Sequence, residues 1–135
     1  MPGFVDGGTV DRPVPSGFKA FTLLHAIIGT PFGILYMIPE FHGPLIGMII
    51  TEPVMHRLFG IAIVALSFGP FMAARRLMWD QVDIIVKVEL VFTILVSIVV
   101  AQALFTGAFP RSVWLDESIV IALIVGYGSF YVRMR

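Results

Sequence analysis

The chain contains no cysteine. Disulfides, thiolate nucleophiles, iron–sulfur ligation and thiolate zinc sites are therefore excluded, and the redox compartment leaves no trace in the sequence. Charge is scarce: Asp, Glu, Lys and Arg make up 13% of the residues and cancel to a formal net charge of +0. A typical soluble domain carries about 25% charged residues, so the composition is that of a membrane protein. A neutral chain also lacks the basic footprint of a nucleic-acid binder. No HExxH, GxSxG, P-loop or CxxC pattern occurs. No serine–histidine–carboxylate set can be assembled in one plane, so the case for an enzyme is poor. Residues 1–17 hold Asp6, Asp11 and Arg12 among four glycines and three prolines. They lack the basic and short apolar regions of a signal peptide, so the first apolar stretch is expected to be retained.

What is present is hydrophobic: 58% of the chain, gathered in four stretches at 18–38, 58–74, 84–105 and 118–132. A bilayer core of about 30 Å requires roughly 20 helical residues. The first and third stretches meet this with 21 and 22 residues; the second reaches 21 from Val54 and the fourth 19 from Trp114. The expected fold is all-α: an integral membrane four-helix bundle over 18–135, preceded by a non-helical, Gly/Pro-rich arm over 1–17.

Four spans place both termini and the link between spans two and three on one side. That side holds Arg12, Lys19, Arg75, Arg76, Lys87, Arg133 and Arg135, and the other only Arg57 and Arg111. Seven against two is a positive-inside bias that predicts cytoplasmic termini. Thr30-Pro31 should kink span one. Gly29 and Gly33 have the small-xxx-small spacing that permits close helix contact. The link over 39–53 has an apolar centre at 45–50, too short to span, which should lie in the interface or fold back between helices. Gly69-Pro70 should bend the end of span two, and Trp79 should mark the membrane interface.

Ionisable residues within spans are functional candidates by default. His25, Lys87 and Glu89 qualify. Lys87 can snorkel to the surface. Counted from the same side, His25 lies roughly 10 Å and Glu89 roughly 8 Å into their spans. A contact between them would serve as a proton relay, a grip on a quinone or haem, or a plain interhelical hydrogen bond. Glu89, Thr93 and Ser97 recur every four residues as one polar stripe, roughly extended by Gln102. The stripe should line a hydrophilic track, return hydrogen bonds to its own helix, or grip a neighbour. Asp116 and Glu117 fall in the first turn of span four, where they suit the helix dipole.

On the opposite side stand Glu40, His42, Glu52 and His56. Glu52, His56 and His42 are the residue types for a zinc, copper or iron site. The i,i+4 spacing of Glu52 and His56 holds only if the helix already runs there, and Pro53 between them would mark its start. Haem ligation by His25 with His56 is disfavoured, because they lie near opposite faces of the membrane. Arg76, Asp80, Asp83 and Lys87, spaced 4, 3 and 4, would form an alternating charge ladder on one helix face.

The segment HRLFGIAIVALSFGPFMAARR, residues 56–76, resembles the second helix of small prokaryotic four-helix membrane proteins of the DoxX-like kind. Members of that broad group accompany oxidoreductases or have no assigned function, and the resemblance carries no functional residue to this chain. The expected role is non-catalytic: a small accessory subunit of a larger respiratory, photosynthetic or oxygenase complex in a prokaryotic inner (plasma) membrane. Its partners would be the lipid bilayer and other membrane subunits, with no nucleic acid and no cofactor named by the sequence. The alternatives are a small proton-linked transporter using His25 and the span-three stripe, and a quinone- or metal-binding membrane redox protein.

Overall fold

The structure is a computed structural model that describes residues 12–134. Its helices are α1 (Ser16–Tyr36), α2 (Pro39–Ile46), α3 (Pro53–Ala74), α4 (Asp80–Phe105) and α5 (Trp114–Met134), with a 3-10 turn at Arg111–Val113 before α5. Four of them, all but α2, are long and apolar enough to cross a membrane. At 1.5 Å per residue the 26 residues of α4 extend about 39 Å, beyond the ~30 Å of a hydrocarbon core. Large apolar side chains such as Ile27, Ile98 and Val125 point outward at 60%, 60% and 65% exposure. Acyl chains, not water, suit such a surface.

The helix boundaries follow from local chemistry. Proline occupies the first position of α2 and α3, where its missing N–H is not needed. Gly47 and Gly107 end α2 and the turn after α4 with φ of 71° and 74°, a left-handed conformation that glycine adopts without a Cβ penalty. After each glycine the chain folds back on the helix end. Met48 N–H donates to the Gly43 carbonyl at 2.8 Å, and Ala108 N–H to that of Ala103 at 2.8 Å. α1 and α3 run on through Pro31 and Pro70. The apolar centre expected at 45–50 is not a unit of its own: α2 takes in Leu45 and Ile46, and Met48, Ile49 and Ile50 follow as non-helical chain.

The bundle is built as two hairpins. α1 packs along α3 and α4 along α5, while contacts between the pairs are sparse. Glycine sets the first pairing. A Cβ on Gly33 would lie 2.9 Å from the Gly60 carbonyl oxygen, and one on Gly60 would lie 2.8 Å from the Met37 nitrogen. A Cβ on Gly29 would run into the Ser67 hydroxyl. The small residues of span one are thus consumed inside the chain.

The two hairpins are joined at the end that carries the termini (hereafter the terminal end). There Val14, Phe18, Ala73, Trp79, Val82, Val86 and Tyr127 form one buried core. The Phe18 ring meets Trp79 and Phe130 edge-on, at 5.3 Å each. Trp79, expected from the sequence to mark the membrane interface, is the residue just before α4 and packs inward on Phe18, leaving it 8% exposed. The described part of the arm is also held internally. Val14 N–H donates to the Leu77 carbonyl and Trp79 N–H to that of Arg12, both at 2.8 Å. The Arg12 guanidinium donates to the Met134 carbonyl at 3.2 Å. The rest of the arm, through residue 11, lies outside the described residues. The expected charge ladder is reduced, because Arg76 precedes α4 and cannot share its face. Lys87 instead pairs with Asp83 at 2.5 Å.

Candidate binding cavity between the hairpins

Sparse contact between the hairpins leaves a cavity of about 940 Å³, walled by α1, α3, α4, α5 and the 48–52 segment. Its lining is chiefly apolar, with Phe21, Phe32, Phe59, Phe92, Val96 and Leu123 among its residues. A few polar side chains interrupt it: His25, Glu89 and Thr93 toward the terminal end, and Tyr36, Glu52, His56, Asp116 and Glu117 toward the loop end. Small-molecule sites run to about 300–1,000 Å³ and share this pattern of apolar walls with a few polar groups.

At the terminal end the partner of His25 is Tyr127. The Tyr127 hydroxyl and His25 Nδ1 lie 2.7 Å apart, and the rings meet edge-on at 5.7 Å. The contact expected between His25 and Glu89 is not the one that forms. Both residues line the cavity, but the rotation of α1 turns the imidazole to α5. Glu89 is 2% exposed and lies within electrostatic reach of the Tyr127 hydroxyl.

The stripe on α4 divides. The Thr93 hydroxyl donates to the Glu89 backbone carbonyl at 2.7 Å, bonding to its own helix. Ser97 reaches across and donates to Glu117 Oε1. Gln102 is exposed and ends the stripe. Glu117 sits in the first turn of α5, as expected, yet it is only 1% exposed. Its other oxygen, Oε2, is buried with no hydrogen-bond partner. Next to it Asp116 accepts a hydrogen bond from the Tyr36 hydroxyl at 2.9 Å.

At the loop end α2 inserts His42 beneath α1, where it is 1% exposed. Its Nδ1 faces His56 Nε2 at 2.8 Å, so one ring donates and the other accepts. Tyr36 stacks on His56 with centroids 4.8 Å apart and contacts the His42 ring at 4.0 Å. Arg57 and Glu40 form an exposed ion pair at 2.7 Å. The metal set suggested by Glu52, His56 and His42 is not assembled. The two imidazoles face each other, and Glu52 is the exposed residue just before α3 begins at Pro53. Among the described residues no group of three or more His, Asp or Glu is placed to hold a metal ion.

Burial, and next the neighbouring His56, lower the His42 pKa from 6.5 to about 4. Between these values the unfolded chain binds a proton that the folded chain refuses, so stability falls as the pH drops from about 6.5 toward 4. Above that window this residue contributes no pH dependence. Thermal unfolding in a neutral detergent should therefore show a melting temperature that declines across the window. His42→Asn should flatten that part of the profile, and an unchanged slope in the variant would assign it to other groups.

Tyr36, Tyr127, Asp116 and Glu117 were not among the polar candidates of the sequence, although all four make or offer polar contacts at the cavity. The tyrosines read as aromatic span residues. The carboxylates read as helix-dipole groups, although starting the span at Trp114 places both inside it. The chain matches no protein-family model, no curated protein and no solved structure.

Proposed function

We propose that this chain is a non-catalytic integral membrane protein that holds a lipid-soluble, amphipathic molecule between its two helical hairpins. The observation that carries the reading is the cavity of about 940 Å³, with apolar walls and polar groups toward both ends. Quinones and other lipids with a compact polar head belong to this class. The basic-residue bias supports an orientation with both termini cytoplasmic in a prokaryotic plasma membrane. Membership of a larger respiratory, photosynthetic or oxygenase complex remains part of the proposal. Two features suited to packing on a partner are taken up within the chain: the glycines of α1 pack on α3, and residues 12–14 of the arm pair with 77–79. The DoxX-like resemblance covers the helix count and the pattern at residues 56–76, and lends no residue a role.

Mass spectrometry of the protein purified in a mild detergent tests the reading. A lipid-soluble molecule should co-purify in near-stoichiometric amount. Val96→Trp, which places a bulky ring in the cavity, should lose it while keeping helical content and a monodisperse profile. Identical small-molecule content in both proteins would overturn the proposal.

A further inference from the structure

We propose that the loop end of the cavity recognises the protonated amine of a lipophilic amine, with Glu117 Oε2 as its anchor and Asp116 beside it. The inference rests on the cavity reading above and specifies its ligand.

Glu117 is 1% exposed, and only one of its two oxygens is engaged, by the Ser97 hydroxyl. Oε2 is the one buried side-chain oxygen or nitrogen without a partner among the described residues. The residue lines the cavity. An orphaned buried acceptor costs about 1–3 kcal/mol, and more if it is charged. A membrane interior raises that cost, so such a group is a candidate functional site. The adjacent Asp116 adds a second carboxyl whose hydrogen bond comes from another hydroxyl, that of Tyr36. Hydroxyls supply protons to share but no compensating charge. Of the two basic side chains at this end, Arg57 is already paired with Glu40 at 2.7 Å, and Arg111 is exposed in the 3-10 turn before α5.

The N-terminus of α5 offers these carboxyls partial positive charge but leaves Oε2 without a donor; a donor that also carries full positive charge completes the site. An alkylammonium meets both needs. An alcohol donates without charge, a carboxylate has the wrong sign, and a quaternary ammonium has charge without an N–H. The rest of the cavity suits the apolar body of such a molecule. Tyr36 and Phe92, which line it, are faces of the kind that attract cations.

Monodansylcadaverine, a lipophilic primary amine whose emission rises in apolar surroundings, is the probe. Its binding to the full-length protein in a neutral detergent should be saturable. Dodecylamine should displace it, and dodecanol at the same concentration should not. Glu117→Gln keeps the shape and the Ser97 contact but removes the charge, and should weaken binding about tenfold or more, the worth of a hydrogen bond to a charged group. Ser97→Ala breaks the same interhelical bond while leaving the carboxylate, and should bind the probe nearly as well as wild type. That contrast separates recognition from structural damage. Unaltered binding in Glu117→Gln, equal displacement by dodecanol, or no saturable binding at all would overturn the amine assignment. Those results leave the cavity reading intact as long as Val96→Trp still loses its co-purifying molecule. Probe binding that survives Val96→Trp unchanged would place the amine outside the cavity and overturn this inference.

Discussion

Gly60→Leu should be among the most damaging single changes to the fold, because it drives α1 away from α3. A Cβ at this position would stand 2.6 Å from the Gly33 carbonyl oxygen and 2.8 Å from the Met37 nitrogen. Both are backbone atoms that cannot rotate aside. Overpacking ordinarily costs about 1–3 kcal/mol and more when the backbone must shift. An interhelical hydrogen bond in a membrane averages only about 0.6 kcal/mol, so polar contacts elsewhere cannot offset the loss. Gly128→Leu is the matched control, since a Cβ there meets nothing within 4 Å. Melting temperature and monodisperse yield in detergent should fall sharply for Gly60→Leu and change little for Gly128→Leu. Equal behaviour of the two variants would show that close backbone contact does not hold the first hairpin together.

Tyr127→Ala should come next in severity. The side chain is fully buried at 0% exposure. Its ring meets Phe21 edge-on at 5.0 Å and Phe18 at 6.4 Å, while its hydroxyl lies 2.7 Å from His25 Nδ1. Truncating a buried aromatic costs about 3–5 kcal/mol, through lost contacts and the cavity left behind. Tyr127→Phe keeps the ring and removes the hydroxyl alone. It should cost about 0.6 kcal/mol and no more than about 2, because one interhelical hydrogen bond within the membrane, that to His25 Nδ1, is lost. Thermal unfolding of the two variants apportions the site between packing and hydrogen bonding. If phenylalanine proves as harmful as alanine, the His25–Tyr127 bond outweighs the ring, against the packing described for this core.

The span count was legible because bilayer thickness imposes one length on every crossing element, and charges or Pro/Gly pairs bound each run. Boundaries shifted where polar residues occupy first turns. α4 begins at Asp80 rather than at residue 84, and α5 at Trp114 rather than 118. In each case two carboxylates belong to the helix but interrupt the apolar run. Rotational phase was not legible. Depth along a span is a one-dimensional quantity, and it brought His25 and Glu89 to the lining of one cavity. Which side chain faces which depends on how each helix is turned, and that is decided by distant packing such as Gly33 on Gly60. The pairing of His42 with His56 was hidden for a related reason. It requires α2 to fold under α1, and nothing in the 39–53 pattern specifies that angle. Glu117 was misjudged because one position satisfied two physical roles, and the helix-dipole role sufficed to explain it.

The buried core that joins the hairpins lies wholly at the terminal end, where it draws on the arm, all four long helices and Trp79. The opposite end is joined more lightly. Tyr36 reaches Asp116 at 2.9 Å there, and the Ser112 hydroxyl donates to the Ile46 carbonyl. Mechanically this is a pair of tongs with its pivot at one membrane face. A rotation of about 5° at the pivot displaces the jaws, about 30 Å away, by about 2.6 Å. That is a little over half the width of a methylene chain, and among the hydrogen bonds of the described residues only those two join the hairpins at that end. The grip of the jaws can therefore be tuned by residues at the loop end without disturbing the aromatic core that keeps the protein folded.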